Sequence, residues 1–101
     1  MFNVRTEVSE NSVSMALEGV LDSKTAPELE QKITEIGPDV TEIHFDFADL
    51  EFLTSAGLRT ILYARQLMDD KDGRMTLKNV NSDIMDIFKM TGFLDVLEIV
   101  D

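Results

Sequence analysis

The chain has 101 residues, 44% of them hydrophobic and 29% charged, which is typical of one globular domain and excludes a disordered or fibrous chain. Twenty acidic residues against 9 basic ones give a net charge of −11, which disfavours direct contact with nucleic acid or an anionic membrane and favours a basic protein partner. Because there is no cysteine, disulfides, zinc–thiolate sites and cysteine nucleophiles are excluded.

The N-terminal residues predict an antiparallel hairpin. Apolar and polar side chains alternate over residues 2–8 and again over residues 13–17, which is the period of a half-buried strand. The polar pair at residues 10–11 separates the two runs and supplies the turn.

A helix of about 12 residues is predicted next. Thr25 followed by Glu28 matches the capping-box pattern, and Pro27 falls in the first turn, where its missing N–H does no harm. Gly37 is expected to end the helix in a left-handed conformation, directly before Pro38.

A strand with one polar face is predicted at residues 42–47, where apolar and polar side chains again alternate. A central strand covered by helices on both faces would be almost entirely apolar, so helices are expected mainly on one face of the sheet. Residues 48–54 are expected to form a loop that leads into a second helix. That helix begins at Ser55 and ends in the charged turn at residues 69–73.

The C-terminal third predicts a strand at residues 75–79, a short helix capped by Asn81 and closed by Gly92, and a last strand at residues 96–100. The element order is therefore β-β-α-β-α-β-α-β, in a single domain formed by residues 1–101. Because helices between strands favour parallel neighbours, we expect a compact α/β domain with a mixed sheet that begins with the antiparallel hairpin.

No enzymatic site is indicated. His44, the only histidine, lies within a strand, Ser55 is not in a G-x-S-x-G motif, and neither a metal-binding loop nor a glycine-rich phosphate-binding motif occurs. We therefore expect no catalytic residue, no metal ion and no cofactor. The N-terminal residues lack a signal-peptide pattern and no apolar run is long enough to span a bilayer, so a cytoplasmic location is expected.

The start of the second helix is the segment whose residues are best placed for chemistry. Thr54 suits the N-cap position and Ser55 then falls in the first turn, where free N–H groups and the helix dipole stabilise negative charge. A phosphate on Ser55 would be stabilised by this positive electrostatic potential. From the residues alone, the alternative that Thr54 and Ser55 merely cap a helix stays open, since hydroxyl caps are very common.

Three separated segments resemble the recurring segments of the STAS domain family, whose soluble bacterial members include anti-sigma factor antagonists. Residues 49–58, with the sequence DLEFLTSAGL, resemble the family signature, and residues 21–29, LDSKTAPEL, are similar to its second recurring segment. Residues 91–94, TGFL, match the usual ending before the last strand. The resemblance covers essentially the whole chain and implies a STAS-like fold.

The resemblance also implies a binding module controlled by phosphorylation. In the family, the unphosphorylated antagonist binds an anti-sigma factor that is also a serine kinase, and this binding releases the sigma factor. Phosphorylation of a serine at the start of the second helix separates the complex, and a serine phosphatase resets it. Ser55 stands at the matching position. In many members an aspartate precedes that serine; here Thr54 does, which makes Thr54 a second candidate acceptor.

The implied contact surface surrounds that serine. Asp22 matches a loop acid near the acceptor in the family, although an ordinary turn aspartate is an equally good interpretation. Gly57 either leaves room for a partner to approach the loop or is required for packing. An alternative function is an unphosphorylated STAS subunit that stabilises another assembly, such as a stress-signalling complex or a lipid-transport machine. The oligomeric state is not predicted. The implied partner-binding residues are Asp22, Ser23, Thr54, Ser55, Ala56 and Gly57.

Overall fold

Residues 1–100, which this computed structural model describes, fold into five strands and three helices in the predicted order. The strands are β1 (Asn3–Ser9), β2 (Ser12–Leu21), β3 (Glu42–Leu53), β4 (Arg74–Lys78) and β5 (Glu98–Val100). The helices are α1 (Ala26–Thr34), α2 (Ser55–Asp69) and α3 (Ser82–Thr91), followed by a short 3₁₀ turn at Phe93–Asp95. None of these helices is long and apolar enough to cross a membrane.

The strands form one mixed sheet in the order β1-β2-β3-β4-β5. β1 and β2 pair antiparallel, whereas β2, β3, β4 and β5 are parallel neighbours. Each parallel strand is added on the same side of the previous one, and such crossovers are right-handed, so the three helices fall on one face of the sheet. The predicted fold class is therefore confirmed.

The hydrophobic core lies between the sheet and the helices. Ile43, Phe45 and Phe47 of β3 are fully buried, while the polar residues between them are only half-buried on the open face. Burying each large apolar side chain contributes roughly 1.5–3 kcal/mol relative to exposure, so this face carries much of the folding free energy. The helices contribute Ala26, Leu29, Ile33, Leu58, Ile61, Ala64, Met68, Ile84 and Phe88 to the same core.

β3 is longer than predicted, because the residues expected to form a loop continue the strand to Leu53. Opposite β2, β3 carries one extra residue between positions 46 and 49 and a second between positions 50 and 52. At each bulge two consecutive side chains face solvent. The buried positions Phe47, Leu50 and Leu53 therefore recur at every third residue, which hides the period of a strand.

α1 is shorter than predicted and is capped differently. It ends at Thr34, and Gly37 does not adopt a positive φ, so the predicted left-handed cap is wrong. The predicted capping box is also wrong, because Thr25 occupies the N-cap position without a side-chain cap bond. Its hydroxyl instead accepts from the N–H of Asp22 and donates to the carbonyl of Val20, both at 2.9 Å. The preceding turn therefore uses the hydroxyl that the pattern assigned to the helix.

α3 has the ends that the sequence predicts. The Asn81 Oδ1 accepts from the N–H of Ile84 at 2.9 Å, and Gly92 closes the helix in the left-handed region at φ 81°. The Asn81 side-chain amide also donates to the carbonyls of residues 50 and 51, at 3.1 and 3.2 Å. Pairing between β3 and β4 stops at Asp46, so this amide bonds to strand carbonyls that lie beyond the β4 ladder.

Candidate functional site

Two loops meet at the carboxyl ends of β2 and β3. Leu21 and Leu53, the last residues of these strands, are register partners, so the residues that follow them begin at the same level. The N–H of Thr54 donates to the carbonyl of Leu21 at 3.0 Å, which ties the second loop to the first. In open α/β sheets this edge is where binding sites usually form.

Ser55 is the first residue of α2, and its side chain is exposed. Within residues 1–100 its hydroxyl makes no hydrogen bond, and Thr54, at the N-cap position, makes no side-chain cap bond. The first turn contains no acidic residue. The unpaired N–H groups and the positive end of the helix dipole are therefore not offset by a carboxylate, and an anion on Ser55 would be stabilised there.

Asp22 organises the neighbouring loop. Its Oδ1 accepts hydrogen bonds from the N–H groups of Lys24 and Thr25 at 3.0 and 3.1 Å. The N–H of Thr25 and then that of Lys24 hold the pKa of the Asp22 carboxyl below its ordinary value, because they stabilise the ionised form. The geometry is that of a turn aspartate, and the same side chain is half-buried beside the loop that leads to Ser55.

A shallow groove runs between the starts of α1 and α2. Exposed Ser23 and half-buried Ala56 lie on its two sides, and Arg59 and Tyr63 extend it along α2. Arg59 was not singled out from the sequence. It is exposed one helical turn after Ser55, and the i, i+4 spacing that places two residues on one helix face is the signal that identifies it.

Gly57 is buried in the first turn of α2. A Cβ at this position would stand 2.7 Å from the carbonyl oxygen of Leu21 and 2.8 Å from its Cγ, so only glycine lets α2 approach the end of β2 this closely. Of the two interpretations that the sequence left open, the geometry supports packing. Direct contact between Gly57 and a partner stays an untested prediction.

Carboxylates occur on the strand and on the loop that lead to this site. Asp49 and Glu51 are exposed on the bulged part of β3, and Asp22 lies on the adjoining loop. Lys24, beside Asp22, and Arg59 on α2 are cations of the same side of the molecule, so the negative charge there is only partly balanced. A further negative charge in a contact at this surface must be desolvated and repels any carboxylate that the partner presents.

The lone histidine lies away from these loops. His44 Nδ1 is 2.7 Å from the hydroxyl of Thr76 and its Nε2 is 2.9 Å from the Glu42 carboxylate, on the open face of the sheet. No group of three histidine, aspartate or glutamate side chains in residues 1–100 is arranged to hold a metal ion.

Comparison with known proteins identifies the family. A family model described as STAS domain matches residues 3–101. The chain belongs to the STAS domain family. The predicted resemblance is thereby confirmed over nearly the whole chain.

Individual STAS relatives are distant but align from end to end. The chain is 23% identical over 97 residues to the anti-sigma-B factor antagonist of Bacillus subtilis, covering 96% of this chain and 89% of that protein. An anti-sigma factor antagonist from Mycobacterium paratuberculosis matches the fold with a TM-score of 0.86 at 21% identity, covering 98% of this chain and 85% of the other. The anti-sigma factor antagonist SpoIIAA, solved in its unphosphorylated form, matches with a TM-score of 0.78 at 23% identity, covering all of this chain and 88% of the other.

Proposed function

We propose that this STAS domain is an anti-sigma factor antagonist that is switched off by phosphorylation of Ser55. The observation that carries the proposal is the exposed, unbonded hydroxyl of Ser55 at the start of α2, beside the loop that holds Asp22 and Ser23. In the unphosphorylated state this surface binds an anti-sigma factor that is also a serine kinase, and the sigma factor is released.

The relatives support the same role. The matching proteins from Bacillus subtilis and Staphylococcus aureus are both named anti-sigma-B factor antagonists. SpoIIAA of Bacillus is described in a phosphorylated as well as an unphosphorylated form. A protein with this fold therefore exists in a phosphorylated form, and Ser55 is the exposed hydroxyl at the position that the family resemblance implies for the acceptor.

Electrostatics explains how a phosphate would act as a switch. Phosphorylation adds about −1.5 to −2 charges and three acceptor oxygens. Inside a contact at this surface the added charge must be desolvated, and it repels any carboxylate that the partner presents opposite Ser55. Like-charge contacts across an interface cost several kcal/mol, so affinity for the kinase should fall by about two orders of magnitude or more.

The free protein would tolerate the same phosphate. The N-terminus of α2 stabilises an anion by about 0.3–1 kcal/mol, and Arg59 lies one turn further along the helix. The modification therefore persists after the complex separates, until a serine phosphatase removes it. A cytoplasmic location follows from this role and belongs to the proposal.

The test uses variants of Ser55 with the anti-sigma factor kinase of the same organism. Ser55→Ala should bind the kinase in the presence of ATP as tightly as in its absence, because the acceptor is gone. Ser55→Asp should bind about 100-fold more weakly than the unmodified protein. Thr54→Ala removes the second candidate acceptor and should still be phosphorylated on Ser55. Ser82→Ala is the matched control, because Ser82 is the exposed first residue of α3, and it should keep both binding and phosphorylation.

Calorimetry for affinity and mass spectrometry for the modified residue give the answer. A single phosphate on Ser55 that accompanies loss of binding supports the proposal. Tight binding by Ser55→Asp, or a phosphate found on Thr54 and not on Ser55, would refute it. Recovery from native cells with a membrane ATPase and without a kinase would favour the alternative role as a subunit of another assembly.

A further inference from the structure

The outer edge of β1 is an unpaired strand edge. β1 lies first in the sheet, and within residues 1–100 it pairs with β2 and with no other strand. The two-residue turn makes Ser9 and Ser12 a hydrogen-bonded pair, so alternate residues of β1 direct their backbone groups outward. The N–H and C=O groups of Val4, Thr6 and Val8 therefore lie along the outer edge. An edge of seven residues without proline is a ready template for another strand.

The sequence of β1 is self-complementary in one register. When a second β1 runs antiparallel with Thr6 opposite Thr6, Val4 lies opposite Val8, and Arg5 lies opposite Glu7. This register pairs the outward-directed residues with one another, as the hydrogen-bond pattern requires. Shifting the centre by one residue either way places Arg5 opposite Arg5 or Glu7 opposite Glu7, and like charges directly opposite each other are destabilising.

Both faces of that pairing make favourable contacts. Arg5 and Glu7 face the open side of the sheet, because their partners on β2 are Ala16 and Ser14. Neither belongs to an ion pair within residues 1–100, so each is free to pair with its counterpart across the two-fold axis. On the helix side, Val8 is 68% exposed.

An apolar groove continues from Val8 beneath β1. Its walls include Val13 and Met15 of β2, Ile36 after the end of α1, and Val40. The pairing places the partner's Val4 beside Val8 at the mouth of this groove. Val13, Met15 and Val40 are already buried within one copy, so the apolar surface that the partner strand covers is mainly that of Val8 and Ile36.

We infer that the partner of the β1 edge is a second copy of this chain, joined antiparallel through Thr6 into a continuous ten-stranded sheet. The edge is two strands away from β3, so the dimer leaves the surface around Ser55 accessible. Strand pairing alone buries less area than a standard interface, and both copies carry a charge of −11. The dimer is therefore weak and its population depends on protein concentration.

Sedimentation velocity over a concentration series up to the millimolar range tests the interface. The unmodified protein should show a monomer–dimer equilibrium. Arg5→Glu places Glu opposite Glu twice, and Glu7→Arg places Arg opposite Arg twice, so each variant alone should dimerise about tenfold or more weakly. Both changes are at exposed positions, and circular dichroism should show an unchanged fold.

Charge complementation distinguishes this register from any other interface. In a mixture of the Arg5→Glu and Glu7→Arg proteins, every cross-strand pair joins opposite charges, so heterodimers should form at the affinity of the unmodified protein. The double variant R5E/E7R should also recover self-association. A monomeric unmodified protein at all concentrations, single variants that dimerise normally, or a mixture that does not associate would each overturn the inference.

Discussion

At the scale of single residues, Gly57 shows how tightly α2 approaches β2. Gly57→Ala should lower the free energy of unfolding by about 1–3 kcal/mol, because the new methyl group meets the backbone carbonyl of Leu21, which has little room to move. The usual helix-propensity gain of about 1 kcal/mol for replacing glycine offsets only part of this cost.

Urea denaturation of Gly57→Ala and Gly37→Ala checks this expectation. Gly37 is the matched control, because a Cβ there has no atom within 4 Å and the backbone has no positive φ. Its replacement should change stability by less than about 1 kcal/mol. A Gly57→Ala protein as stable as the unmodified one would show that α2 shifts freely away from β2.

Asp22 makes the folding stability of the protein depend on pH. Its pKa is lower in the folded state than the ordinary 3.8, so its contribution to stability is present above that value and is lost as pH falls through the folded pKa. Asp22→Asn removes this titration. The stability difference between the unmodified protein and the variant, measured by urea denaturation, should therefore shrink as pH is lowered from neutral to about pH 3. A difference that stays constant would contradict this assignment.

Single residues also show how far the site could be predicted. The position of Ser55 followed from the resemblance together with the strand-to-helix pattern, and the structure places it exposed at the start of α2. The burial of Gly57 and the use of the Thr25 hydroxyl by the preceding turn could not be predicted. Both depend on the distance between chain segments that only the folded sheet brings together.

At the scale of elements, Asn81 joins α3 to the end of β3. Asn81→Ala should lower the free energy of unfolding by about 1–2 kcal/mol, because it removes the N-cap bond to Ile84 and the two side-chain amide bonds to residues 50 and 51. Asn81→Ser keeps a capping oxygen and loses only the amide donors, so its free energy of unfolding should lie between those of the unmodified protein and Asn81→Ala. Urea denaturation of the three proteins measures these free energies. Equal losses for both variants would show that the cap contributes nothing.

The elements were predictable where hydrophobic period and caps agree. The hairpin, α2 and the Asn81 and Gly92 ends of α3 appear where the sequence indicates. The second half of β3 was missed because two bulges turn a period of two into a period of three. The end of α1 was missed because a glycine marks a left-handed cap only if the chain needs a positive φ there, and Gly37 sits in an open turn that does not.

At the scale of the whole molecule, unbalanced negative charge opposes folding. The chain carries −11 with its histidine neutral, and within residues 1–100 only two ion pairs join an arginine to a carboxylate, Arg65–Asp69 and Arg74–Glu98. Exposed pairs contribute less than about 1 kcal/mol each, so self-repulsion is the larger effect. The melting temperature should therefore rise as sodium chloride is raised and the Debye length falls from about 10 Å toward 3 Å.

Differential scanning calorimetry at several salt concentrations measures the effect. A double variant with Asp49→Lys and Glu51→Lys is the control, because both side chains are exposed and their reversal reduces the net charge. Its melting temperature should depend less on salt. A melting temperature of the unmodified protein that falls with added salt would mean that the few ion pairs outweigh the repulsion.

The two bulges of β3 absorb extra residues without moving the serine. β3 uses 12 residues to cover the span that β2 covers with 10, and both strands still end level. Deleting Ala48 would remove one bulge, let the ladder close regularly and leave Leu53 opposite Leu21, so the start of α2 would keep its height above the sheet. Insertions and deletions at a bulge therefore change which side chains of β3 reach solvent, while the hydroxyl stays where the end of β2 holds it.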